Sequence, residues 1–424
     1  MSKKRLVVIG GGAAGFFCAV NAAQLNPELE VIILEKSNKL LSKVKVSGGG
    51  RCNVTHACYS IAEMIKRYPR GSAFLKKAFH HFFTTDTIAW FKNRGVELKT
   101  ETDGRMFPAT NTSQTIIDCL MKEANKYNVE IRINKEVKQL AVGGGQWAVG
   151  SEQLATGKGF ELKFADGSIL QTDFVCIASG GYPKILQYHW LAKAEHIIDE
   201  PVPSLFTFNM PGNSVTALMG VAVENAQVKI AGSKLLESGP LLITHWGMSG
   251  PAILKLSAWG ARELAINNYN FSILINWIPD FNENSLREKI QQLRFQLAAQ
   301  KIINRNPFAL PNRLWEYLLL QSGIQADLRW ADLPAREQNK LIKNLCANEY
   351  AVKGKTTFKE EFVTSGGVQL NEIDFNTMQS KKHAGLFFAG EIINVDGITG
   401  GYNFQNAWTT GWIAAKAISS FKNV

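Results

Sequence analysis

The sequence predicts an α/β protein: a discontinuous Rossmann domain with an inserted β-rich domain and a helical subdomain. Three observations lead there. The first 35 residues read strand, glycine turn, helix, strand, acid. A strand-rich stretch from about Pro201 to Asp280 is followed by a helical one from Asn284 to Ala347. The tail from Gly385 to Ser420 then returns to a buried strand, a glycine loop and a closing helix. Residues 1–195 and 364–424 are therefore assigned to the dinucleotide-binding domain, 196–282 and 346–363 to the β-rich domain, and 283–345 to the helical subdomain.

Leu6-Val7-Val8-Ile9 is an apolar run of strand length, and Gly10-Gly11-Gly12-Ala13-Ala14-Gly15 follows it. Gly10 permits the tight turn, Gly12 lets the backbone approach a pyrophosphate, and Gly15 lets the next helix pack closely on the strand. That helix offers unpaired N–H groups and a partial positive charge at its start, beside Ala13 and Ala14. Val31 to Leu34 is the second strand. Glu35 ends it, 20 residues past Gly15, where an acid accepts hydrogen bonds from ribose hydroxyls.

Ser37 to Asn53 is polar, basic and glycine-rich, which reads as a loop held against a ligand or another backbone. Ile61 to Arg94 shows apolar spacings of three and four, so Phe74, Phe82 and Phe91 are core positions of helices. Asp103 to Pro108 reads as a turn, and Ser113 as the cap of a helix reaching Tyr127. Val129 to Ile133 starts a strand. Gly143-Gly144-Gly145 precedes strand-like Trp147-Ala148-Val149 rather than a helix, which predicts a hairpin and no second dinucleotide domain. Phe174 to Ala178 is a buried strand that ends in Ser179-Gly180-Gly181.

The chain has 424 residues and a net charge of +11. Between Lys36 and Arg105 there are 14 Lys/Arg against 5 Asp/Glu, a local excess of 9. Such a stretch is either a solvated basic surface or a patch for a polyanion such as RNA. Six cysteines in so long a chain do not suggest a disulfide framework, and a reducing cytoplasm is the expected compartment. No apolar run approaches the roughly 20 residues of a membrane span. His80-His81 with Asp86 lacks a credible metal-ligand partner and reads as helix surface; no metal is expected.

Ser47-Gly48-Gly49-Gly50-Arg51-Cys52-Asn53, Gly104 to Pro108, Thr244 to Pro251 (THWGMSGP) and Gly390-Glu391 through Gly400 to Gln405 (GGYNFQ) are spread over nearly the whole chain. Together with the first glycine turn they make it resemble the glutathione-reductase-like FAD proteins. More narrowly, it resembles the BaiN/YhiN-type flavoproteins, which include ribosomal RNA dihydrouridine synthases. The resemblance implies FAD in the first site, with Gly10, Gly12, Gly15 and Glu35 holding the ADP half and Val137 meeting adenine through its backbone. It also places Ala13, Ala14, Lys36, Ser47, Gly48, Gly49, Gly50, Arg51, Cys52, Asn53, Ser179 and Gly180 on the cofactor. Gly390 and Glu391 would serve the ribityl chain, and Gly400, Gly401, Tyr402 and Asn403 would open the last helix toward the flavin pyrimidine. Asn394 stands where relatives often carry Asp.

The chemistry that the resemblance implies is reduction of a conjugated carbon–carbon double bond, with NAD(P)H as transient electron donor. For uridine, hydride goes to C6, an acid protonates C5, and donors stabilise charge on the C4 oxygen. Cys52, His245 and Arg51 are the candidates for these roles, Cys52 as an acid whose pKa the Arg51 cation lowers. Cys52 and Cys58 stand six apart, which does not match the five-apart redox pair of the disulfide reductases. Arg105 reads either as a phosphate or carboxylate contact or as an anchor of its own turn. Three partner readings follow: ribosomal RNA, a small-molecule enone such as an oxidised steroid acid, or RNA bound by a flavin-stabilised factor without turnover.

Overall fold

The computed structural model describes residues 3–143, 159–357 and 363–421, and the chain divides into two compact units, Met1–Pro203 with Lys359–Val424, and Ser204–Phe358. In the first unit, strands β1 (Arg5–Ile9), β2 (Glu30–Leu34), β3 (Glu130–Arg132), β4 (Phe174–Ile177) and β5 (Leu386–Phe388) form one parallel sheet in the order β5-β4-β1-β2-β3. The central strands are buried along their length, as expected of a parallel sheet covered on both faces. Helix α1 (Ala13–Leu25) is apolar almost all round, since it lies between this sheet and the closing helix. Its Asn21 is satisfied internally: the amide donates to the Phe17 carbonyl at 2.6 Å and accepts from Trp90 Nε1 at 2.8 Å.

Helix α2 (Ser42–Gly50) follows β2, where the sequence suggests only a loop. It is regular for one turn and then breaks: Ser47 is extended and Gly48 and Gly49 are left-handed. Helix α3 (Tyr402–Ser419) closes the unit. It crosses α1 so tightly that a Cβ on Gly411 would lie 2.9 Å from the Ala14 carbonyl oxygen. Asp103–Pro108 is less of a turn than expected, because Arg105–Pro108 pairs with Leu98–Thr100 and with Thr55–His56 in a small antiparallel sheet. Ser113 starts the helix Gln114–Lys126 without capping it; its hydroxyl donates instead to the Lys45 carbonyl at 2.8 Å, tying that helix to α2. His80 and His81 lie in the turn between two helices rather than on one. The hairpin expected at Gly143–Val149 lies almost wholly outside the described residues.

The second unit carries a seven-stranded antiparallel sheet. The helices Pro251–Trp259, Glu283–Gln296, Asn312–Gln321 and Ala335–Cys346 share one apolar core with it. The helical segment is therefore no separate subdomain, because its buried Leu286, Trp315 and Leu341 fill the same core as Val228 and Ile275 of the sheet. The boundary expected at 195 moves to 203, since Ile198–Pro203 pairs with Thr364–Val368 in the first unit. Among the described residues no helix is long and apolar enough to cross a membrane.

Candidate functional site

The first glycine turn lies at the carboxyl end of β1. Gly10 has φ +116°, and a Cβ there would sit 2.4 Å from the Ala178 carbonyl oxygen, against the Ser179 backbone. A Cβ on Gly15 would sit 1.9 Å from the Gly10 carbonyl oxygen, so only glycine lets α1 approach β1 this closely. Gly12 differs, with nothing within 4 Å of its Cβ position. Helix α1 begins there with no side-chain cap and no acid in its first turn. The N–H groups of Ala13, Ala14 and Gly15 are the orphan donors of that helix start. Open space over bare N–H groups at a helix N-terminus fits a pyrophosphate.

Glu35 is fixed beside this turn. One carboxylate oxygen accepts from the Gly11 N–H at 2.9 Å, and the other accepts from the Ser37 N–H and hydroxyl, both at 2.9 Å. A carboxylate has about four acceptor positions, so three such bonds orient the group and leave one for a ribose hydroxyl. Lys36 lies over the Tyr182 ring at 5.1 Å. Val137 opens the strand Val137–Val142, with its side chain buried and its backbone paired to Phe164.

In the second glycine loop, Gly48 packs on Phe107, while Gly49 and Gly50 have open space at their Cβ positions. Gly180, left-handed at φ +76°, is open in the same way. Cys52 turns inward and is fully buried. The expectation of an acidified thiol is overturned: burial pushes Cys52 up to about 12, against a smaller opposing effect of its Ser47 hydrogen bond. The physical reason is that neighbours in sequence diverge in space. The Arg51 guanidinium donates to Glu101 at 2.5 Å and stacks 4.0 Å from the Phe107 centroid. Arg105 takes the anchoring role, with bonds to Asp103 at 2.6 Å and Glu101 at 3.1 Å.

The tail loop meets this region from the far end of the chain. The Asn53 amide, oriented to satisfy its neighbours, donates to the Thr55 carbonyl at 3.1 Å and accepts from the Gly401 N–H at 2.9 Å. Asn403 exchanges two bonds with the Gly397 backbone, at 2.8 and 2.9 Å, so its side chain shapes the loop. The Tyr402 ring stacks on His56 at 4.8 Å, and His56 Nδ1 lies 3.1 Å from the Gly400 carbonyl oxygen. Gly390, left-handed, lies so close to Ala14 that a Cβ would be 2.7 Å from that methyl group. Glu391 accepts from Lys43 Nζ at 2.6 Å and from the Thr364 N–H at 2.8 Å. Asn394 donates to Asp199; a carboxylate at 394 would set two like charges side by side there.

The structure thus brings together Gly10 to Gly15 with Glu35, and Asn53 with Gly401. His245 belongs to the second unit, between strands Leu236–Thr244 and Gly247–Ser249, with its ring edge-on to Trp246 at 4.4 Å. Two residues escape the sequence reading, Lys43 and His56. Neither stands in a glycine motif, and the partner of each is more than 340 positions away. The flanking position of Lys43 just before Ser47-Gly48-Gly49-Gly50 was the available hint.

The HI0933-like protein Rossmann domain model matches residues 4–417. The chain is 31% identical over 433 residues to a ribosomal RNA dihydrouridine synthase of Escherichia coli (strain K12), covering 100% of each chain. A protein of the same description from Haemophilus influenzae is 28% identical, with 97% of this chain and 98% of that one covered. A 3-dehydro-bile acid delta(4,6)-reductase of Clostridium scindens is 25% identical, with the same shares covered.

Proposed function

Given that this chain belongs to the HI0933-like Rossmann-domain family, we propose that it is an FAD-dependent oxidoreductase that uses NAD(P)H to reduce an activated C=C bond, with uridine in ribosomal RNA as substrate. The observation that carries the flavin reading is the glycine cradle, closed at Gly15, open at Gly12 and flanked by the fixed Glu35 carboxylate. FAD, when bound, supplies hydride-transfer chemistry that no side chain provides. Gly12, Ala13 and Ala14 would hold the pyrophosphate, Glu35 the adenosine ribose and the Val137 backbone the adenine. Gly49, Gly50, Ser179 and Gly180 would lie along the cofactor, Gly390 and Glu391 would face the ribityl chain, and the uncapped start of α3 at Gly401 would stabilise negative charge on the pyrimidine. Glu391 would act with Lys43 rather than as a bare carboxylate, since that ion pair pins α2 to the tail.

The RNA substrate is favoured by whole-length likeness to the Escherichia coli synthase and by the local excess of 9 positive charges between Lys36 and Arg105. A stacked base does not reach a buried cofactor, so the target nucleotide would be unpaired or flipped out. His245 is proposed as a substrate-handling residue, as the family resemblance implies. The likeness to the Clostridium scindens reductase favours a second reading, a steroid-like enone as substrate.

Mass analysis of ribosomal RNA from cells with and without the gene tests the substrate. Loss of one dihydrouridine in the deletion strain is expected; unchanged content, with turnover of a steroid enone by the purified protein, selects the second reading. Anaerobic NADH is expected to bleach the yellow enzyme, and persistent colour would point to a factor without turnover. Glu35→Ala is expected to weaken FAD binding at least tenfold, about 1.4 kcal/mol, and so to lower flavin occupancy while circular dichroism stays that of the wild type. Full occupancy after purification would remove Glu35 from the ribose.

A further inference from the structure

We infer that His56 takes up a proton when the isoalloxazine bound at the Gly400–Tyr402 loop accepts two electrons, so that reduction of this protein is coupled to two protons rather than one. The inference rests on the flavin reading above, and it concerns a residue outside all of the glycine motifs.

The geometry selects one ring nitrogen for the task. His56 lies in the short strand Thr55–His56, with one face of its ring on Tyr402 and Nδ1 at 3.1 Å from the Gly400 carbonyl oxygen. A carbonyl only accepts, so Nδ1 carries the hydrogen and Nε2 keeps the lone pair. Nε2 makes no hydrogen bond among the described residues. Gly104 lies close to the ring, where a Cβ would be 2.5 Å from Nε2; glycine with φ +86° leaves the imidazole room.

Other titratable groups of the region are held in contacts of their own: the Tyr68 hydroxyl donates to the Tyr402 carbonyl at 2.7 Å and the Cys58 thiol to the Ser60 carbonyl at 3.5 Å. Cys52 is buried and pushed up to about 12, and burial raises Tyr402 to about 12 as well. Glu391 is paired with Lys43, and Asp396 with Arg70. His56 alone among these has an ordinary range near neutrality. Burial moves it down, the Gly400 carbonyl and Asp103 pull it up, and Arg67 and Arg105 push it down. It is therefore neutral at pH 7 before reduction. Negative charge gained by a flavin held at the Gly400–Tyr402 loop would favour the imidazolium and reverse the balance.

A bound flavin would take two electrons, from nicotinamide in turnover or dithionite in the test, with one proton, and His56 would take a second proton at Nε2 from solvent. Re-oxidation by substrate returns both protons, and this places His56 as the store for the proton that the reduced product needs.

The test is the midpoint potential of the FAD-loaded full chain, measured by dithionite titration with reference dyes from pH 7 to 8. Each proton taken up per two electrons shifts the midpoint by about 30 mV per pH unit. Wild type is expected to take up two protons, and His56→Asn and His56→Gln one each. The Asn amide can keep an N–H near the Nδ1 position for the Gly400 carbonyl and the Gln amide fills the Nε2 position, and occupancy is read from flavin absorbance in the same samples. A one-proton slope in wild type, or a two-proton slope in the variants, overturns the inference. Wild-type protein that takes up no FAD at all removes the flavin reading itself, a separate and visible failure.

Discussion

Gly15→Ala is expected to produce a protein without bound FAD. The added methyl would start 1.9 Å from the Gly10 carbonyl oxygen, which is backbone and does not rotate aside. Overpacking against adaptable side chains costs about 1–3 kcal/mol; here β1 or α1 must move, so the upper end applies. Relief comes only by lifting α1 away from the sheet. That movement is opposed on the far side by α3, where a Cβ on Gly411 would lie 2.9 Å from the Ala14 carbonyl oxygen. The N–H groups that face the open space at Gly12 would then lose their aim. The ratio of flavin to protein absorbance after purification is the readout, and a wild-type ratio would show that the close approach is unnecessary for the cofactor. Gly12→Ala is the internal comparison: its methyl meets nothing within 4 Å, so the fold should hold while the methyl intrudes only on a ligand.

Arg70→Ala is expected to be the most destabilising single change in the first unit. Asp396 is wholly buried, and Arg70 grips it with both arms of the guanidinium, Nε to one oxygen at 2.6 Å and the second nitrogen to the other oxygen. Removing one partner of a buried, doubly hydrogen-bonded pair strands charge away from water, at a cost of about 3–5 kcal/mol. A fall in melting temperature of roughly 10 °C follows. Asp396→Asn added to Arg70→Ala should recover much of the loss, because the amide removes the stranded charge. A single variant within about 1 kcal/mol of wild type in denaturant titration would show that the pair is not holding the tail loop in place.

The two changes divide along a line between local and distant information. The Gly10 to Glu35 segment was readable because its logic is short-range: a turn, a close approach and an acid at the end of the next strand, all within one strand–helix–strand unit. The Arg70–Asp396 pair spans 326 positions and the Thr55–Gln405 hydrogen bond 350. No periodicity or motif spacing encodes which distant side chain will arrive, since that depends on how the whole chain closes. Cys52 shows the same limit at close range. Its neighbour Arg51 suggested an acidified thiol, yet Cys52, with φ +61°, turns into the core while Arg51 goes to Glu101 and Phe107. Sequence adjacency says nothing about direction once the backbone leaves a regular element.

The sequence by itself determined the Rossmann core, the dinucleotide cradle and the return of the tail to the same sheet, because apolar period and glycine placement are consequences of local backbone geometry. Only the tertiary structure decided that Glu391 is paired, that Cys52 is sealed off, and that His56 lies under the Tyr402 ring. Those outcomes depend on burial and on which charges meet, and both are properties of the closed chain rather than of any stretch of it.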